Sequence, residues 1–352
     1  MSVEPRPDPE PKADGDHRAE QPSPKATKRL RRKRLERDQD RLAHRLRSDG
    51  PDHPLRMPFR AWMGAVKRTV LEFQEDGLGD WAAALTYYSV LSIFPALLVV
   101  TSMVGLAGGE VSQKLIDNLA APAPGAVREV LTQALFELEN SKRSAGLVAL
   151  IAILGGLWSA SKYVAAFMRA SNAVYDIHEG RPLWKTFPIR VAITLATLVL
   201  MAVSAVAVVV SGPLAHRIGD LLGLGDLSVM VWNVLKWPVL LIVINVLFAL
   251  LYWAAPNARQ GIRWITPGGL LALLVWLLAS LGFAVYVSGF AAYNKTYGSL
   301  AALIIFLVWL WIANAALLLG AEFNAELERA RAIESGNPPG KEPYVRLRDL
   351  PD

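Results

Sequence analysis

No cysteine occurs among the 352 residues, which removes disulfide frameworks, thiolate metal sites and cysteine nucleophiles in any compartment. Histidine is almost as scarce. His17, His44, His53, His178 and His216 stand apart without metal-ligand spacing, and the first three fall in a polar N-terminal region. The usual place of a cleavable signal peptide holds no apolar stretch, since the first long one starts near Trp81. The most informative absence is that of charge along whole segments. Trp81–Gly109, Ala145–Ser161, Val191–Ala215, Trp237–Ala258, Trp264–Asn294 and Thr296–Ala321 contain no Asp, Glu, Lys, Arg or His.

What is present in excess is apolar surface. Hydrophobic residues make up 53% of the chain and mean hydropathy is +0.30, more than a soluble domain of ordinary composition uses for its core. A hydrocarbon layer of about 30 Å takes about 20 helical residues, so five of the charge-free windows suffice alone. The second is interrupted by Lys162. Nine Leu, Ile, Val and Phe residues over 145–168 contribute roughly −3.5 kcal/mol to insertion, against about +3 for a Lys at mid-membrane. Lys162 lies about 25 Å along the helix from Ala145, at the far boundary, where it can snorkel, so the window spans.

The expected fold is therefore all-α, a polytopic six-helix transmembrane bundle with interfacial and extracytoplasmic amphipathic helices. Its spans fall at about 82–107, 145–168, 189–212, 234–255, 267–290 and 298–321 within a membrane domain over 81–327. Lys and Arg crowd the N-terminal tail, the 169–190 connection, Arg259, Arg263 and the C-terminal tail, while Arg217 and Lys295 stand alone in alternate connections. This bias puts both termini in the cytoplasm. The 110–144 loop mixes both signs, and its stripe Val127, Val130, Leu131, Ala134, Leu135 and Leu138 marks an outer amphipathic helix, separated by Pro122 and Pro124 from a shorter one near Val111–Leu119. Both are candidates for a lid.

Residues 1–57 are polar and Pro-rich and are expected to be a disordered basic tail. Its run Lys28–Leu35 with Arg37, Arg41, Arg45 and Arg47 suits anionic lipid headgroups and lacks the aromatic or base-reading residues of a specific nucleic-acid surface. Over 58–80, the spacing of Phe59, Trp62, Met63, Val66, Val70 and Phe73 predicts an amphipathic helix in the membrane interface. Residues 328–352 are expected to form a cytoplasmic tail. The lipid bilayer is the one partner the composition demands, and the oligomeric state is left open.

The run Ala82-Ala83-Ala84-Leu85-Thr86-Tyr87-Tyr88-Ser89-Val90-Leu91-Ser92-Ile93-Phe94-Pro95 resembles the first-span signature of the YihY/BrkB family of bacterial inner-membrane proteins, once labelled ribonuclease BN. Leu157–Ser161, Asn172–Asp176, Arg181-Pro182, Pro256-Asn257, Pro267-Gly268-Gly269, Tyr293–Leu300 and Gly320–Glu326 continue the resemblance in the same order over about 59–327. The resemblance implies a six-helix integral protein of the inner membrane and little about activity, since the ribonuclease label is regarded as a misassignment.

Topology sorts the polar residues by depth. Tyr87, Tyr88, Ser159, Lys162, Arg169, Asn172, Glu322 and Asn324 are candidates for an inner vestibule, with Glu322 facing Lys162 or Arg169 so that neither charge stays unpaired. Tyr293, Asn294, Tyr297 and Ser299 form a candidate outer polar cluster. Pro95 should kink or break the first span, Gly155-Gly156 and Gly268-Gly269 should let helices approach closely, and Asn245 and Asn314 should hydrogen-bond neighbouring helices. A phosphodiesterase would need clustered carboxylates or histidines in a wet site. The sequence has no such cluster, so no catalytic residue, cofactor or metal is expected. The reading is a transporter- or exporter-like protein for a lipid-like or amphipathic solute, with a non-transporting scaffold of envelope assembly as the alternative.

Overall fold

A computed structural model describes residues 24–106, 145–209, 226–288 and 299–351. Among them the chain forms α1 (Pro24–Ser48), α2 (Phe59–Glu75), α3 (Leu78–Leu106), α4 (Ala145–Val174), α5 (Leu183–Val209), α6 (Asp226–Ala254), α7 (Ile262–Ser288) and α8 (Ser299–Glu334). The outer-loop helices expected within 110–144 lie outside the described residues. The charge-free windows coincide with the long helices because a segment that cannot offer its amides to water must satisfy them internally. Stretches long and apolar enough to cross a membrane occur, among the described residues, in four helices: Leu183–Leu200, Met230–Ala254, Ile262–Val287 and Leu303–Glu334.

Successive long helices pack side by side, α3 on α4, α4 on α5, α5 on α6, α6 on α7 and α7 on α8, and α8 returns to α3, closing a ring. The ring is tight at one end. There Leu85, Phe167, Tyr252, Ile265 and Leu318 are fully buried where α3 and α7 begin and α4, α6 and α8 end. Gly268 and Gly320 bring α7 and α8 together, and a Cβ on either would collide with the other's carbonyl oxygen. In the Gly155-Gly156 pair, Gly155 faces open space and Gly156 is buried. Asn314 accepts from Tyr163 Oη at 2.9 Å and donates to Thr86 Oγ1 at 3.1 Å, tying α8 to α4 and α3, whereas Asn245 Nδ2 has no partner.

Away from the tight end the outer surface is apolar. Met230, Trp237, Ile242, Leu278, Leu281 and Val285 are all more than half exposed, far beyond what a soluble monomer shows to water. The helix expected over 58–80 is α2, and its stripe divides: Trp62 and Phe73 pack inward, while Phe59, Met63, Val66 and Val70 stay exposed.

Three expectations are corrected. Of the kink or break expected at Pro95, the break does not occur, because α3 runs through it. A proline has no N–H to offer the carbonyl four residues back, here Leu91, and that oxygen accepts from Ser159 Oγ of α4 at 2.9 Å. Residues 24–48 of the tail expected to be disordered are helical, as α1. Leu42 there is buried against Ala332 and Tyr344, and Gln39 and Asp38 reach the C-terminal segment. That segment is no loose tail either. Its Arg346–Leu347 (β2) pairs antiparallel with Ala258–Arg259 (β1), in the register Ala258 to Leu347.

Candidate functional site at the close-packed end

The connections between helices are short at this end, and each helix terminus leaves orphan backbone groups that side chains must satisfy. Arg181, buried after α4, donates to the carbonyls of Ala254 and Ala255 at 3.3 and 2.7 Å, capping the C-terminus of α6, where a cation is favoured by the helix dipole. Its guanidinium also grips both oxygens of Glu179, at 2.8 and 2.7 Å. Burial alone would raise the Glu179 carboxyl, and the Arg181 contacts reverse that, holding it below the usual range. Asn172 donates to Glu179 at 3.0 Å and accepts from the Asn257 N–H at 2.8 Å.

Asn257 joins this knot to the C-terminal strap. Its Nδ2 donates to the Asp349 carbonyl at 2.7 Å and the His178 carbonyl at 3.2 Å, and its Oδ1 accepts from the Asp349 N–H at 3.1 Å. Arg348 donates to the carbonyls of Ala258 and Trp253 and lies over the Trp253 ring. Gly180 is needed beneath the strap, since a Cβ there would collide with the Asp349 backbone. Arg181, Asn257, Arg348 and Asp349 were not among the expected site residues. Arg181-Pro182 and Pro256-Asn257 were visible as motifs, and nothing in the sequence flags the other two.

A second network joins α2 to α8. Glu326 pairs with Arg68 and with Arg329 at 3.1 Å, and Arg329 reaches Glu72 at 2.9 Å. Acidic groups outnumber basic ones around it. Burial, then the charges of Asp176, Glu72, Glu75 and Glu326, push the Asp76 carboxyl up to about 6. Asp176, in the left-handed region at φ 50° just past α4, is raised chiefly by burial and then by Glu342. Beside these, several buried atoms lack partners: Glu322 Oε2, Glu328 Oε1 and Asn324 Nδ2, with the Tyr175 hydroxyl and the Gln260 amide close together but out of hydrogen-bond geometry. Asn324 Oδ1 is engaged, accepting from Gly268 N at 2.8 Å.

The expected vestibule residues are distributed over this end rather than gathered. Tyr87 is exposed and meets half-buried Tyr88 edge-on at 5.4 Å. Ser159 serves the carbonyl freed by Pro95, Asn172 belongs to the knot, and Glu322 and Asn324 are buried on α8. Glu322 does not pair with Lys162 or Arg169. Both of those are exposed, and Lys162 lies 5.9 Å from the Trp158 ring. Tyr293, Asn294 and Tyr297 lie outside the described residues, and Ser299 is the first residue of α8.

A ring of long helices with an apolar outer surface and polar residues concentrated at one end defines an all-α integral membrane protein. The chain belongs to the virulence factor BrkB family, whose model matches residues 69–344. It is 30% identical to the putative ribonuclease-like protein YfkH of Bacillus subtilis over 73% of this chain and 92% of that one. A UPF0761 membrane protein of Alkalilimnicola ehrlichii is 31% identical over 72% of this chain, which spans 56% of that relative's length. Another, from Histophilus somni, is 27% identical over 75% of this chain and 90% of its own. No solved structure matches. Both α1 and the β2 strap fall outside the matched residues.

Proposed function

We propose that the chain crosses the bacterial cytoplasmic membrane six times through α3–α8, with both termini in the cytoplasm, and moves a lipid-like or amphipathic solute across it. The observation that carries this reading is the buried Glu322 carboxyl, whose Oε2 has no partner, at one end of an otherwise apolar ring. Leaving such a group unpaired costs about 1–3 kcal/mol, a cost that a passing polar headgroup or its water offsets. The exposed apolar stripe of α2 supports its lying in the inner interface, and the basic, exposed surface of α1 supports contact with anionic lipids. We assign no catalytic residue, cofactor or specific nucleic acid.

Purified full-length protein in liposomes tests the transport reading. Flux of a labelled phospholipid or small amphipathic solute above empty vesicles is expected, and its absence with folded protein counts against the proposal. The second reading, a scaffold of envelope assembly, draws on the docking of α1 onto the strap, which makes a structured cap of segments outside the family match. Deleting residues 1–57 separates the two: a transporter keeps its flux, and a scaffold loses its partners.

A further inference from the structure

Trp158 on α4 is more than half exposed, and two cations share its ring. The Lys162 ammonium lies 5.9 Å from the ring centroid, and the Arg190 guanidinium of α5 lies 5.8 Å from it. Arg190 also stacks at 5.2 Å on Phe187, and its Nε is buried without a hydrogen-bond partner. Spacings of four and seven residues put Trp158, Lys162 and Arg169 on one face of α4, and all three are exposed. Among the described residues, no carboxylate pairs with Lys162, Arg169 or Arg190.

That imbalance needs an anion. A cation over an aromatic ring gains about 0.5–2 kcal/mol, but the ring carries no net charge, so these contacts leave both cations without a counter-ion. Arg190 lies seven residues into α5, about 10 Å from its start at the close-packed end, which is near the depth of the lipid phosphates if that end faces the cytoplasm. Arg181, Arg329 and Arg68, by contrast, each hold a carboxylate.

We propose that the surface between α4 and α5 around Trp158 binds the phosphate of an anionic phospholipid headgroup, with Lys162 and Arg190 as its cationic ligands and Arg169 as a further positive charge on the same face of α4. The indole supports the two cations from one side and the phosphate neutralises them from the other. The apolar outer faces of the two helices deeper in the membrane than Trp158 and Arg190, where Leu154 and Leu195 are exposed, receive the acyl chains. This assignment rests on the transport reading for its orientation and names the chemical class of lipid that the protein engages.

Full-length protein in neutral-detergent micelles is titrated with dihexanoyl phosphatidylglycerol, dihexanoyl phosphatidylcholine and inorganic phosphate. Phosphatidylglycerol is expected to bind more tightly than the other two, with an affinity that weakens as salt is added. Lys162→Gln and Arg190→Gln should each weaken it about fivefold and the pair about thirtyfold, while Lys162→Arg and Arg190→Lys retain it. Wild-type affinity in a monodisperse double variant overturns the site, as does equal affinity for the two lipids. Salt-independent binding by the unmodified protein overturns it without any variant. Inorganic phosphate binding as tightly as phosphatidylglycerol assigns the cations to a free anion and overturns the lipid assignment. Binding is read here without flux. A protein that shows this lipid dependence yet transports nothing keeps the site and loses the transport reading.

Discussion

Asp76 closes α2 in a crowd of like charges, and it carries a pH dependence of its own. Its carboxyl is pushed from 3.8 up to about 6, first by burial and then by Asp176, Glu72, Glu75 and Glu326. A raised carboxylate pKa means that the folded state holds the proton more firmly than the unfolded chain. Stability therefore falls as pH rises from about 4 to about 6, and above that the full cost of the ionised group persists. Asp76→Asn should stabilise the protein by about 1–2 kcal/mol at pH 8, the solvent-screened share of the shift. Near pH 4.5 the gain should shrink. Thermal midpoints of both proteins across that range measure it, and an Asn variant no more stable at pH 8 would show that some cation already compensates the cluster. Asn257 illustrates the opposite case. It has no exposed surface, and both ends of its amide are engaged with backbone groups of the strap and of His178, so it cements the fold rather than lining a path.

Elements were legible in the sequence to the degree that their cause was local. The charge-free windows and the apolar spacing of 59–73 mark α2–α8 because insertion energy and helical period act within one segment. The strap, the ribbon β1–β2 and the docking of α1 escaped because they arise from pairings such as Gln39 with Leu347 and Asn257 with Asp349, distant in sequence and carried by residue types common in any loop. Pro95 shows how an element-level signal can be read correctly in chemistry without fixing its outcome. The lost hydrogen bond is real, and Ser159 of the neighbouring helix replaces it at Leu91. Ser159→Ala should accordingly cost about 1 kcal/mol in the wild-type background. With Pro95→Ala in place, Leu91 regains a donor from its own helix, and removing the hydroxyl should cost almost nothing. A double-mutant cycle on unfolding stability reads the coupling, and additive effects would mean that Ser159 does not compensate the proline.

At the scale of the whole molecule, the closed order of the ring constrains which ends can share a side of the membrane. Successive helices pack against one another from α3 to α8, so if all six cross, the chain reverses direction at each connection and returns to the side where it started. The contacts of α1 with the strap and with the end of α8 hold both terminal segments at the close-packed end. Lys and Arg are dense in these segments and in the 169–190 connection, which is what supports the proposal that this side faces the cytoplasm. The absence of cysteine makes this orientation directly measurable, because any introduced thiol is unique. Ser48→Cys and Glu334→Cys should resist a membrane-impermeant maleimide in intact cells and react once the membrane is opened, while Asn118→Cys, in the long connection between α3 and α4, should react at once. Labelling of one terminal site but not the other would require an odd number of crossings, which a ring of six spanning helices cannot supply. Labelling of both terminal sites with protection of Asn118→Cys would keep six crossings and reverse the protein in the membrane. That would place the Trp158 cations at the outer leaflet.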